Sequence, residues 1–248
     1  MNTIYILWLR QLKRYFRSKA RIIGSLGQPL LFLVALGFGL GPIFQKAGQG
    51  NYIEFITPGI VSMGIIFTAL FSGIEIIWDR QFGFLKETLV APVSRLNIMI
   101  GRTLGGATVA SFQAILILIL SFLVGFRPHD MTVFPLAFVF IFLIALLFTA
   151  LGTAIASRLE DMQGFQLIMN FLVMPLFFLS GALFPLAGLP KALNIITKID
   201  PLTYGVDGLR GTLSAVTHFG LLHDFLVLGI LTSVILVIGS YLFSKIEI

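Results

Sequence analysis

The chain has 248 residues, 57% of them hydrophobic and only 11% charged, with a net charge of +6 and no cysteine. A soluble domain carries about 25% charged residues, so this sequence lacks the polar surface to cover a water-soluble globule. The missing cysteines exclude disulfides and thiolate metal sites. Mean hydropathy is +1.00, and apolar runs long enough to cross about 30 Å of hydrocarbon as helices recur along the whole length. Alternating barrel strands are not seen, so the expected fold is an all-α membrane protein. The cations sit in short segments beside apolar runs. Topology and lipid headgroups explain that placement without nucleic acid.

Residues 1–21 come first in the chain. Tyr5, Leu9, Leu12 and Phe16 fall on one helical stripe, and Arg10, Lys13, Arg14, Arg17 and Arg21 lie largely on another face. This pattern predicts an amphipathic helix in the plane of the inner membrane surface, an anchor that also has the chemistry to touch a cytoplasmic partner. The segment is too long for a signal n-region and no small-residue cleavage site follows, so the first span is expected to be retained.

Six spans follow, roughly 22–44, 55–77, 98–125, 132–156, 165–187 and 223–243. With both termini in the cytoplasm, twelve of the 17 Lys and Arg residues fall on that side, the arrangement the positive-inside rule favours. Gly37 with Gly41, and Gly101 with Gly105, have the GxxxG spacing that lets helices approach closely. Pro29, Pro58 and Pro175 lie within spans and are expected to kink or open them. Glu75 and Arg102 lie near span ends. No ionised residue falls at a midplane, where an ion-driven carrier places its coupling groups.

Between the second and third spans runs WDRQFGFLKETLVAPVSR, Trp78 to Arg95, which holds Asp79, Arg80, Lys86, Glu87 and Arg95. Trp78, Phe82, Leu85 and Leu89 make an apolar stripe at steps of 4, 3 and 4 with the charges off it, and Pro92 after Ala91 is a helix stop. Periodicity alone predicts a short amphipathic helix over 78–95, with an interfacial loop helix as the plain alternative. Residues 188–222 read as short amphipathic helices lying in or dipping into the outer leaflet. Leu189, Leu193, Ile196 and Ile199 form an apolar stripe, Asp200-Pro201 is a helix-entry turn, Tyr204 is an interface anchor, and Asp207 and Arg210 pair at i,i+3. His129, His218 and His223 are separated by loops and predict no metal site.

Two of these stretches resemble one family. Arg80, Gly83, Leu85, Leu89, Ala91, Pro92, Ser94 and Arg95 are similar to a motif of type-2 ABC exporter permeases, and FLSGALFPLAGLP followed by DPLTYGVDGLR resembles a second. The resemblance covers essentially the whole chain as a single transmembrane domain, 1–248. It implies that 78–95 is a coupling helix inserted into a separate ATPase subunit. Trp78, Asp79, Arg80, Phe82, Gly83, Leu85, Lys86, Glu87, Leu89, Pro92 and Arg95 are then the candidate coupling residues, with apolar anchors and charges that set register. The chain has no Gly-Lys pair and so no P-loop. It is therefore expected not to be an enzyme and to bind no cofactor, with ATP and Mg held on the partner ATPase.

The family also implies a second copy or a paralogue, membrane lipids as surroundings, and a prokaryotic inner membrane location. It places a substrate path at the dimer interface, which makes Phe32, Phe38, Phe171 and Phe178 the candidate lining residues. The outer hairpin contributes Pro201, Tyr204, Asp207 and Arg210. With 25 Phe, 5 Tyr and 2 Trp, the path suits a hydrophobic or amphipathic cargo such as a drug, antibiotic or lipid-like molecule. A polysaccharide or lipid-linked glycan is the alternative within the family, because sugar conduits favour Trp and Tyr. A secondary carrier or channel without an ATPase would leave the charged segment idle, and a non-transporting membrane scaffold or sensor is a third class.

Overall fold

A computed structural model describes residues 3–48, 50–84 and 93–245. Apolar chain without water must satisfy its backbone internally, and the described residues do so as helices. Helix α1 is Thr3–Arg17, α2 Lys19–Lys46, α3 Tyr52–Phe71, α4 Ile74–Gln81, α5 Arg95–Val124, α6 Phe134–Ala156, α7 Met162–Leu179, α8 Lys191–Ile199, α9 Pro201–Ser214 and α10 Leu221–Ser244. Six stretches are long and apolar enough to cross a membrane: α2, α3 continued into α4, α5, α6, α7 and α10. Both ends of the described chain, the α4–α5 connection and the α6–α7 connection lie at one end of the bundle, called here the terminal end.

Helix α3 is the hub. It buries most of its length, from Tyr52 to Leu70, and packs against α2, α5, α6 and α9. By contrast α2, α7 and α10 bury little of their surface. Leu31, Val34, Phe38 and Ile43 of α2 and Leu167, Phe171 and Phe178 of α7 are exposed. Helix starts follow local chemistry. Asn51, Ser94, Asp161 and Asp200 cap α3, α5, α7 and α9 with side-chain oxygens that accept backbone N–H groups.

Three expectations about the far end of the bundle change. The fifth span stops at Leu179, not near 187, because the chain turns at Gly181 (φ 74°). The turn folds onto α3, where the Tyr52 hydroxyl donates to the Leu183 carbonyl at 3.1 Å. Only α8 is an exposed amphipathic helix, with Ile195, Ile196 and Ile199 open and Thr197 buried. Helix α9 is buried on all sides, including every residue from Gly205 to Leu213. It is sunk into the bundle antiparallel to α6. A Cβ at Gly208 would strike the Phe140 ring and one at Gly205 would strike Ile144. Ile144 is ten residues into α6, so at 1.5 Å per residue Gly205 lies about 15 Å below that helix's start.

Finally, Asp207 and Arg210 do not pair with each other. Asp207 accepts the backbone N–H groups of His218 and Phe219 at 2.8–2.9 Å. Arg210 donates to the Gly181 carbonyl at 2.9 Å and stacks its guanidinium over Phe55 at 4.1 Å. Each side chain thus ties α9 to a different loop. Pro201 is the first residue of α9, and the Tyr204 hydroxyl donates to the Lys198 carbonyl at 2.7 Å, which closes the α8–α9 hairpin.

Candidate functional site

The terminal end concentrates the charge. Helix α1 does more than lie on a surface, because it packs along α5. Gly101 and Gly105 make the seat. A Cβ on Gly101 would come within 3.0 Å of Leu7 Cβ and 3.1 Å of the Ile4 backbone, and one on Gly105 within 2.6 Å of Gln11 Cγ. This is the close approach that GxxxG spacing permits; by contrast, a Cβ on Gly41 would meet nothing within 4 Å. Two hydrogen bonds fix the register of α1. Trp8 Nε1 donates to Thr108 Oγ1 at 3.0 Å, and the Tyr15 hydroxyl donates to Gln113 Oε1 at 2.5 Å. Burial raises the Tyr15 hydroxyl above its usual pKa, against the opposing pull of Arg21, so it stays protonated and can donate. The Tyr5–Phe16 stripe remains exposed at both ends. The seated face, Ile4, Leu7, Trp8, Gln11 and Tyr15, was not found by apolar periodicity because half of it is polar.

Asp79 sits at the centre of the terminal layer. Its carboxylate is buried and accepts Arg102 Nη2 at 2.5 Å and Arg10 Nη2 at 2.8 Å. Arg102 is as buried as Asp79, with 4% of each side chain exposed. One turn earlier Glu75 faces Arg14 at 3.6 Å and Arg21 at 3.4 Å. Helix α4 is therefore clipped to α1, α2 and α5 by charge. Its other side is clipped to the α6–α7 connection: Arg80 donates to the carbonyls of Leu159 and Ser157 at 3.1 and 3.2 Å, and Gln81 to that of Glu160 at 3.2 Å.

These contacts correct part of the expected coupling surface. Asp79 and Arg80 face inward, one into an ion cluster and the other onto loop carbonyls, because α5 and the α6–α7 connection supply their partners. The expected single helix over 78–95 is also divided. Residues 74–81 continue the second span and α5 begins at Arg95, while Gly83 adopts φ 79°, a left-handed conformation that suits glycine. Leu85, Lys86, Glu87, Leu89 and Pro92 lie outside the described residues. Arg95 is half-buried, and its Nη1 has no hydrogen-bond partner among the described residues.

What remains outward is aromatic. Phe82 is 66% exposed and meets Trp78 edge to face at 6.3 Å. The Arg14 guanidinium lies over the Trp78 ring at 5.4 Å. Together with Phe84 these residues form one wall of an open groove of about 720 Å³. The facing wall is α1, with Ile6, Leu9, Arg10, Lys13, Arg14 and Arg17. The groove thus has a basic side, an aromatic side and a floor braced by buried ion pairs. Such an arrangement has room and chemistry for another macromolecule; among the described residues it brings no nucleophile and base into contact.

The proposed path residues are spread over two helices. Phe32 of α2 is partly buried against the core, whereas Phe38 of α2 and Phe171 and Phe178 of α7 are exposed.

Residues 2–214 match the family described as ABC-2 type transporter. The chain is 26% identical over 237 residues to nodulation protein J of Rhizobium leguminosarum bv. viciae, covering 92% of this chain and 88% of that one. It is 26% identical over 230 residues to the inner membrane transport permease YadH of Escherichia coli K12, covering 89% of each. It is also 30% identical over 217 residues to ycf38 of Cyanophora paradoxa, covering 85% of this chain and 73% of the relative. With a family match across most of its length and six apolar helices, one of them a buried hub, the chain is a multi-pass membrane protein and belongs to the ABC-2 type transporter permeases.

Proposed function

We propose that this chain is the membrane half of an ATP-driven exporter and that its terminal end receives force from a separate ATPase subunit, which holds ATP and Mg. The observation that carries this reading is the groove at Trp78 and Phe82. Its aromatic wall stands at the end of a helix held from several sides by Asp79, Glu75, Arg80 and Gln81. Aromatic side chains in a basic-rimmed groove are favoured anchors for a protein partner. A helix end fixed to its neighbours passes a push on as rigid-body motion, where a loose loop would absorb it.

In this reading the terminal end faces the cytoplasm of a prokaryotic cell, and the membrane is the inner one. The cation distribution supports that orientation, and YadH carries the words inner membrane in its own name. The exposed apolar faces of α2 and α7 suit a second copy or a paralogue, which would bring Phe38, Phe171 and Phe178 of two chains around one path. The cargo is hydrophobic or amphipathic, drug-like, antibiotic or lipid-like, in keeping with the abundance of phenylalanine.

Co-purification with the ATPase encoded beside the gene tests this. Phe82→Asp together with Leu85→Asp should release the ATPase and abolish transport while the permease still inserts. ATPase binding that survives both changes removes the coupling assignment.

A further inference from the structure

A second cleft, of about 220 Å³, opens between the α1–α2 corner and α3. Its floor is apolar, built from Pro29, Phe67 and Phe71. Its rim is polar. Arg21, Ser25 and Gln28 follow one another at i, i+4 and i+7 on α2, one helical face, and Thr68 lines it from α3. From Arg21 to Gln28 is seven residues, about 10 Å of helix, so a polar stripe runs down an otherwise apolar span.

The Gln28 carboxamide and the Thr68 hydroxyl have no hydrogen-bond partner among the described residues, and Gln28 is exposed. Pro29 has no N–H, so the Ser25 carbonyl four residues earlier loses its ordinary helical donor. An amide left facing hydrocarbon is costly, and a polar group within a span marks a place where something polar passes or binds. Arg21 at the rim is turned toward Glu75 at 3.4 Å, a carboxylate it shares with Arg14 at 3.6 Å. Besides that guanidinium the cleft offers the Gln28 carboxamide and the Thr68 hydroxyl beside two aromatic rings.

We infer that this cleft receives the hydroxyl- or amide-bearing head of an amphiphile from the leaflet at the terminal end, with the first carbons of its tail against Phe67 and Phe71. That the amphiphile is cargo rests on the exporter reading; that the cleft binds it does not. Gln28 and Thr68 are the selecting residues, and they discriminate heads that can both donate and accept hydrogen bonds from heads that cannot.

The test uses the full chain with its co-purified ATPase in lipid nanodiscs and two photoactivatable probes. One is an alkyl glucoside with a diazirine on its first chain carbons, and the other is a phosphatidylcholine tagged in the same way, whose head has no donor. The glucoside should label peptides spanning residues 21–29 and 64–71. Gln28→Leu with Thr68→Val should lower that labelling about tenfold to thirtyfold, the loss of two net hydrogen bonds, with labelling elsewhere unchanged. Gln28→Leu alone, at an exposed position that folding tolerates, should lower it about fivefold. Undiminished labelling in Gln28→Leu overturns the inference. So does a phosphatidylcholine probe that labels the cleft as strongly, because a bulk lipid would then be its occupant. Co-purification is scored on the same samples. Labelling without ATPase binding leaves the cleft standing and removes the exporter reading, and the reverse outcome removes the cleft alone.

Discussion

Replacing Asp79 with asparagine tests whether the buried ion cluster is what fixes the terminal end. In the wild type Asp79 and Arg102, each with 4% of its side chain exposed, meet at 2.5 Å. Asparagine keeps the shape but removes the charge, leaving the Arg102 guanidinium buried and uncompensated. Breaking such a pair costs about 3–5 kcal/mol. The other contact contributes far less: the Arg10 side chain is 41% exposed, and pairs of that kind are worth about 0–1 kcal/mol. Asp79→Asn should therefore lower the thermal midpoint of the purified permease by roughly 6–20 °C, taking about 2–4 °C per kcal/mol for a chain of this size. Arg10→Gln should lower it by no more than a few degrees. The double change Asp79→Asn with Arg102→Met removes both charges and should recover most of the loss, since apolar replacements of buried pairs are often neutral or stabilising. Thermal unfolding of the four proteins in one detergent decides the matter. An Asp79→Asn protein within about 2 °C of wild type, or a double variant no better than the single, would refute the argument.

Gly101→Leu should cost about 1–3 kcal/mol by overpacking α1 against the Ile4 backbone, whereas Gly41→Ala, with open space around it, should cost nothing measurable by thermal unfolding. Tyr15→Phe removes the donor to buried Gln113, whose Nε2 already lacks a partner among the described residues, and should cost about 1–3 kcal/mol on the same measurement. Arg210→Met keeps the packing over Phe55 but strips the Gly181 carbonyl of its donor. The far hairpin should loosen by about 1–3 kcal/mol, seen as faster trypsin cleavage after Lys191 or Lys198.

The spans were legible because hydrocarbon imposes one requirement, a long apolar helix, and composition alone reveals it. The charged layer was legible only as separate residues. Asp79 fell off the apolar stripe and so read as a coupling residue for a partner; what buries it is Arg102 reaching across from another helix, and helical periodicity carries no information about a neighbour. Two opposite charges near facing span ends were the available signal. Helix α9 misled for a related reason. Its Thr, Gly, Asp and Arg residues look like a surface, yet Asp207, Arg210, Thr212 and Ser214 each find a backbone partner inside, and Gly205 and Gly208 let α6 come close. The pairing of Asp207 with Arg210 followed from helical spacing, but both side chains are drawn away by loops that spacing does not see.

The seat of α1 has a consequence for how the chain is made. Trp8 and Thr108 are 100 residues apart and Tyr15 and Gln113 are 98 apart. At a synthesis rate of about 5–20 residues per second, α1 emerges roughly 5–20 s before the glycine groove that will hold it. During that interval Trp8 and Tyr15 lack the partners they hold in the finished protein, so α1 reaches its seat only after α5 has been made.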